Sequence, residues 1–169
     1  MTTLHVVVGL PGVGKTTLAK RLEAELPALR LTPDAWMVPL FGEPEAGGKR
    51  DDVEGLLIGV AVRSLRLGAD VVLDFGVWSR DERTCLRHLA ADVGAATRLH
   101  YLPAEPEEQW RRLAARDDPG SFRIARAEMD GYATLFETPS AEELAGTDDR
   151  PDDPDWTEWS RGRWHTLAE

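Results

Sequence analysis

Four short apolar runs alternate with amphipathic stretches over the first 136 residues of this chain. Leu4 to Val8 ends at Gly9 and reads as a strand buried on both faces. From Lys15 the apolar period changes. Leu18, Leu22 and Leu26 fall on one stripe of a helix that stops before Pro27. Leu29 to Leu31 is a second strand. Thr32-Pro33-Asp34 then opens a helix carrying Trp36 to about Leu40, with Thr32 as N-cap and Pro33 at the first helical position. The breaker-rich stretch from Gly42 to Lys49 reads as a loop. Asp51 to Leu67 has helical periodicity and ends at Gly68, and Asp70 to Phe75 is the next buried strand. Ser79 and Glu82 have capping-box spacing ahead of a helix to about Val93. Thr97 to Leu102 is the fourth strand. Helices over Glu105–Arg116 and Ile124–Phe136 follow, separated by a polar stretch with Pro119 and Gly120. Alternating strands and helices make βαβ units. The expected fold is therefore α/β, a three-layer sandwich with a mostly parallel sheet and helices on both faces. Ligands of such sheets bind at the carboxyl ends of the strands.

The chain changes character after Phe136. Between Glu137 and Glu169 ten acidic residues stand against three basic ones, and Trp156, Trp159 and Trp164 fall there. The expected organisation is a core over residues 1–147. Residues 148–169 would form an acidic solvated loop and a tryptophan-rich tail that docks on that core. A length of 169 residues suits one domain. The formal net charge of −10 disfavours nucleic acid or an anionic membrane as the main partner. The single cysteine, Cys85, excludes an intrachain disulfide, and His5, His88, His100 and His165 share no metal-ligand spacing. Met1–His5 carries no basic run, so no leader segment is expected, and no apolar run approaches the roughly 20 residues of a membrane span. A cytoplasmic protein with no membrane partner is expected.

Gly9-Leu10-Pro11-Gly12-Val13-Gly14-Lys15-Thr16 matches the phosphate-binding pattern GxxxxGK[ST]. It lies where the mechanism needs it, between a buried strand and a helix. Glycines let the loop curl so that backbone N–H groups point at phosphate oxygens, and the helix N-terminus adds partial positive charge. The expected nucleotide contacts are Gly9, Pro11, Gly12, Val13, Gly14, Lys15, Thr16 and Thr17. Lys15 would reach the β- and γ-phosphates and Thr16 would ligate Mg²⁺. Asp74 ends the strand Val71-Val72-Leu73-Asp74, where a carboxylate can hold the Mg²⁺ shell or simply shape a turn. No NKxD guanine motif is present, and the tripeptide Asp74-Phe75-Gly76 stands without the rest of the protein-kinase set. ATP and GTP both remain open as the nucleotide.

Asp34 follows the second strand. A carboxylate there faces the γ-phosphate and can accept the proton of an attacking hydroxyl, or it can merely complement a helix dipole. Arg111, Arg112 and Arg116 lie on one helix, with Arg112 and Arg116 sharing a face, and Arg123 and Arg126 lie beyond the Pro/Gly stretch. They make either a phosphate-clamping lid near 116–124 or a solvated set pairing with Glu108, Asp117 and Asp118.

Gly9–Thr16, Thr32-Pro33-Asp34, Val71–Arg83 and Arg112-Leu113-Ala114-Ala115-Arg116 stand in this order over residues 4–136. With them the chain resembles the small P-loop kinases of the polynucleotide 5′-kinase, chloramphenicol phosphotransferase and zeta-toxin-like group, and most of all their predicted-kinase branch. The resemblance implies a P-loop NTPase sandwich with an arginine-bearing lid that moves a nucleotide γ-phosphate onto a hydroxyl. It implies Lys15 and Thr16 on phosphate and Mg²⁺, Asp34 as general base, and Arg112 and Arg116 as lid arginines. Two features depart from the group. Met37 stands where an arginine often follows the base, a residue that in polynucleotide kinase helps hold the acceptor phosphate. Residues 148–169 have no counterpart in the group.

The expected acceptor is a small hydroxyl compound: a metabolite, nucleoside, sugar or antibiotic. Its pocket would lie between Asp34, the 42–49 loop and the Asp74–Trp78 turn, with Trp36, Phe41 and Trp78 as candidate walls. Asp51 and Asp52 either bond its hydroxyls or act as helix N-terminal acids. The alternatives are a polynucleotide 5′-hydroxyl kinase, which Met37 and the net charge disfavour, and a nucleotide-hydrolysing switch or assembly protein, which would not need Asp34 as a base. The expected assembly is a monomer or a weak homodimer.

Overall fold

The computed structural model describes residues 1–43, 46–115, 124–148 and 155–167. Its sheet has four parallel strands: β1 (Thr3–Val8), β2 (Ala28–Leu31), β3 (Asp70–Gly76) and β4 (Ala96–Tyr101), in the order β2-β3-β1-β4. β1 and β3 are central, and their Leu4, Val6, Val7, Val8, Val71, Val72 and Leu73 are almost wholly buried, because helices cover both faces. The helices are α1 (Lys15–Glu25), α2 (Asp34–Phe41), α3 (Lys49–Arg66), α4 (Arg80–Ala91), α5 (Pro106–Ala114), α6 (Arg126–Leu135), α7 (Ala141–Ala145) and α8 (Trp156–Arg163).

Strand alternation sorts the core. Val7 and Val72 meet Ala19 and Leu22 of α1 on one face. Leu4, Val6, Val8, Val71 and Leu73 point to the other face, against Val53, Leu57, Ile58, Ala61 and Leu65 of α3 and Cys85, Leu86 and Ala90 of α4. The result is the α/β P-loop sandwich that the motifs imply. Trp156 and Trp164, at the two ends of α8, are 4% and 2% exposed and belong to this larger cluster. The segment is seated by Gly55 of α3, where a Cβ would lie 2.3 Å from Thr166 Oγ1. No helix among the described residues is long and apolar enough to cross a membrane.

Several local expectations need correction. Thr32 does not cap α2. Pro33 takes that place with helical dihedrals (φ −56°, ψ −35°) and no side-chain cap, because its ring already fixes a helical φ. Thr32 is buried instead, and its carbonyl accepts the Ala35 N–H. α5 ends at Ala114 and α6 starts at Arg126, both shorter than their periodicity suggested. Asp148 is not solvated: Arg80 Nη2 donates to its Oδ1 at 2.7 Å, and Arg87 Nη1 donates to its carbonyl oxygen at 2.7 Å. Arg116, Asp117, Asp118 and Arg123 lie outside the described residues, as does nearly all of the expected lid near 116–124. So does most of the acidic loop that follows Asp148.

Candidate active site

The phosphate loop leaves the carboxyl end of β1 and opens α1. Gly12 (φ 83°) and Gly14 (φ 97°) take the left-handed backbone that bends it. At Gly12 the space is closed as well, since a Cβ would lie 2.8 Å from Leu113 Cγ and 3.1 Å from the Gln109 carbonyl oxygen. The loop is thus pressed against α5. Gln109, 5% exposed, donates from Nε2 to the Pro11 carbonyl at 2.6 Å. No local pattern in the sequence singles out Gln109, which works across 98 residues. Lys15 Nζ donates to the Leu10 carbonyl at 2.9 Å, which holds the ammonium over the mouth of its own loop.

Asp74 lies beside this loop. It is 4% exposed, and its Oδ2 has no hydrogen-bond partner among the described residues. Burial raises its carboxyl above the usual range. A hydrogen bond from Thr16, the Lys15 charge and Arg30 pull the other way, and the nearby Asp34 adds to the rise. Arg30 Nη1 stands 3.8 Å from Oδ2. A buried carboxylate oxygen with an open lone pair beside a threonine hydroxyl is the donor chemistry Mg²⁺ takes, with one or two protein oxygens and the rest from phosphates and water. The residues therefore fit the ion. Among the described residues no group of three or more His, Cys, Asp or Glu could hold it without the nucleotide.

Asp34 opens α2 and is exposed, and its Oδ1 accepts from Arg50 Nη1 at 2.8 Å. Arg50 also meets Glu54 at 3.4 Å. Trp78 is half-buried at the end of the turn after β3, its ring 5.0 Å from that of Tyr132. A Cβ at Gly76 would lie 3.3 Å from Trp78 Nε1 and 3.5 Å from Lys15 Cε, so the indole and the lysine converge on one glycine. The turn is held by α4. Glu82 Oε2 accepts from the Trp78 and Ser79 N–H groups at 3.1 and 3.2 Å, and Ser79 Oγ accepts from the Glu82 N–H. This is the capping box expected from the sequence. Met37 is fully buried in the core, and Trp36 on α2 is 48% exposed. Phe41, at the end of α2, is 40% exposed. Trp78 is the one of the three candidate aromatics that the structure brings to the phosphate loop.

Behind Arg50, Arg163 at the end of α8 reaches into the first turns of α3 and α4. It meets Asp51 at 3.0 Å, Glu82 at 2.9 Å and Glu54 at 4.0 Å. Asp51 and Asp52 are thus helix N-terminal acids with partners of their own, and Asp52 is paired with Lys49 and His165. Burial pushes the Glu54 carboxyl up to about 7. Arg50 and Arg163 lower it, while Glu82 and Asp51 raise it. Between about pH 4.5 and 7 the folded chain therefore keeps a proton that the unfolded chain releases, and stability falls as pH rises through that window. Glu54→Gln removes this penalty. Thermal melts should show the variant about 3–6 °C above wild type near pH 8 and level with it near pH 5. An offset that is the same at both pH values would mean that Glu54 does not titrate there.

On the outer side of the loop a cleft of about 550 Å³ is lined by Gly12–Gly14, Thr17, Leu18, Leu102, Arg21 and Arg112. Its size and mixed lining suit a nucleoside. Arg112 Nε donates to Glu108 at 2.7 Å, and its Nη1 lies 3.4 Å from the Val13 carbonyl oxygen. Glu108 also holds Arg111, so two of the expected basic residues are paired as solvated side chains while one of them still rims the cleft. Arg21 and Arg30 were not singled out by sequence, because single arginines on a helix and a strand carry no pattern.

The sequence model of one family, described as an AAA domain, matches residues 4–139. The chain belongs to this AAA domain family. It is also similar to UPF0200 protein PAE1629 of Pyrobaculum aerophilum, 30% identical over 175 aligned residues that take in 85% of this chain and 93% of that one. Among solved structures, Kti12 of Chaetomium thermophilum in complex with ADP-AlF3 matches with a TM-score of 0.65 and 21% identity, over 98% of this chain and all of that one. The APS kinase CysC of Mycobacterium tuberculosis, in complex with AMPPNP and APS, matches at 0.60 and 21% over 98% and 97%. A chain of the Pnkp1/Rnl/Hen1 RNA repair complex matches at 0.68 and 19%. The match takes in 86% of this chain, which spans less than half (45%) of that one. The fold is shared with these proteins, and the likeness to the small P-loop kinases read from the motifs is borne out.

Proposed function

We propose that this protein is a P-loop phosphotransferase that moves the γ-phosphoryl group of Mg-ATP or Mg-GTP to a hydroxyl of a small molecule. The observation that carries this reading is the pair of unlike carboxylates at the loop mouth. Asp74 is buried beside Thr16 with an open oxygen, whereas Asp34 is exposed nearby. The first suits Mg²⁺, and the second, exposed on the acceptor side, suits a base that takes the proton of an arriving hydroxyl. The likeness to an APS kinase and to a Kti12 structure holding ADP-AlF3 supports a nucleotide on this loop.

Thr16 and Asp74 would hold Mg²⁺, which supplies charge neutralisation on the phosphates. The loop N–H groups and Lys15 bind the β- and γ-phosphates, and Arg112 closes on the nucleotide from the rim of the cleft. Trp78 shields the reacting centre from water. Asp34 takes the acceptor's hydroxyl proton as the oxygen bonds to the γ-phosphorus, and the bond to the β-phosphate oxygen breaks, so that a nucleoside diphosphate leaves with the electron pair.

A panel of hydroxyl compounds incubated with γ-labelled ATP or GTP tests this. Label on one small acceptor, lowered about 100-fold or more in Asp34→Asn with nucleotide affinity kept, is expected. Hydrolysis with no labelled acceptor, unchanged in Asp34→Asn, would sink the reading in favour of a hydrolysing switch, which the full-length likeness to Kti12 also accommodates. Label on a 5′-hydroxyl oligonucleotide instead would make it an end kinase.

A further inference from the structure

We propose that Arg50 reads an anionic group on the acceptor, and that the acceptor displaces Asp34 from Arg50 as it binds. This inference rests on the phosphotransferase reading and names the substrate class for the same site: small hydroxyl compounds that carry a carboxylate or a phosphate.

The argument starts from a conflict. Asp34 has to receive a proton, yet its Oδ1 is engaged by the Arg50 guanidinium at 2.8 Å. That oxygen already holds a guanidinium N–H, so in the resting arrangement it faces Arg50 and not an acceptor hydroxyl. The guanidinium has to shift before that oxygen takes a proton. A neutral hydroxyl compound drives the shift only weakly, because it offers no charge in exchange. A carboxylate or phosphate drives it more strongly, since the planar fork of an arginine matches either one with two parallel hydrogen bonds.

The other groups facing this point leave Arg50 to do the reading. Arg163 already compensates Asp51 and Glu82, at 3.0 and 2.9 Å. Lys49 and His165 are taken up by Asp52. Glu54, the second partner of Arg50, is a poor counter-charge, because burial keeps its carboxyl partly protonated near neutral pH. Of the two carboxylates on Arg50, Asp34 is the exposed one and Glu54 the largely buried one, so Asp34 is the one an arriving anion can replace. Met37 is buried and offers no charge at this site. An amine-bearing acceptor would instead have to compete with Arg50 for Asp34, which would consume the base.

Matched acceptor pairs test the proposal: glycerol against glycerate, glucose against gluconate and against glucose 6-phosphate, with glucosamine as the amine control. With γ-labelled ATP, an anionic member should be labelled about tenfold or more above its neutral partner. The carboxylate and phosphate arms tell which anion is read. Arg50→Ala should flatten this preference, and Arg50→Lys should keep part of it. Calorimetric titration of the preferred anion supplies a readout that needs no Arg50 variant to fold. Asp34→Asn should bind the anion several-fold more tightly than wild type while transferring less, because the competing carboxylate is gone. Equal labelling of neutral or amine members, or unchanged or weaker anion binding in Asp34→Asn, overturns the inference and leaves the kinase reading standing. Hydrolysis with no acceptor labelled overturns both.

Discussion

Replacing Lys15 with Ala should lower nucleotide turnover by about 100- to 1,000-fold while the protein melts within a few degrees of wild type. Both halves follow from the geometry. The ammonium lies at the loop mouth, held by the Leu10 carbonyl at 2.9 Å. A hydrogen bond of this kind contributes only about 1 kcal/mol to folding. What fixes the loop lies elsewhere: the left-handed glycines, the Gln109 bond to Pro11, and the contact of Gly12 with Leu113. In the transferring state the same ammonium meets charge that builds on the phosphoryl oxygens, and it has been placed there in advance. Removing one such donor costs about 3–4 kcal/mol in the transition state. The measurement is steady-state release of phosphate or labelled product at saturating nucleotide, with a thermal melt of both proteins. Turnover within threefold of wild type would take the P-loop out of the chemistry.

Features carried by neighbouring residues were the ones legible in the sequence. The phosphate loop, the strand ending in Asp74, the box of Ser79 and Glu82 and the four strands all depend on short-range spacing, which a chain displays before it folds. The features that sequence did not reveal are long-range. Arg50 meets Asp34 across 16 residues, Gln109 meets Pro11 across 98, and Thr166 bonds the Asp52 carbonyl across 114. No spacing rule anticipates such pairs, because the sheet and not the chain brings them together. The acidic content from Asp148 onward suggested a solvated loop. Composition cannot tell a solvated aspartate from one such as Asp148, which two arginines of α4 hold. α7 is a different case. Ser140-Ala141-Glu142-Glu143 carries a readable capping box, and the structure forms it. Helices of five residues fall below what apolar periodicity detects.

That short helix supports the second large effect. Arg83 is fully buried, and its Nε and Nη2 donate to the two carboxylate oxygens of Glu143 at 2.8 and 3.3 Å, while its Nη1 donates to the Trp78 carbonyl at 3.1 Å. Glu143 is 2% exposed and also accepts the Ser140 N–H. Burial alone would raise its carboxyl, but the Arg83 bonds win and hold it below the usual range. Deleting either partner leaves the other charge in a dry site, which typically costs about 3–5 kcal/mol. For a chain of this size, Arg83→Ala or Glu143→Ala should lower Tm by roughly 10 °C. The pair Arg83→Met with Glu143→Leu should recover most of that loss, because no uncompensated charge remains. The pH sign follows from the depressed carboxyl. Its contribution is complete above the ordinary glutamate range and is lost as pH falls through the lower folded value. The double variant should therefore be less sensitive to acid than wild type. It also separates stability from function. The Trp78 carbonyl loses its Arg83 donor even where the fold is restored, so turnover should stay depressed in a protein that melts close to wild type. Recovery of both together would place Arg83 in the core alone, with no part in holding the turn that carries Trp78.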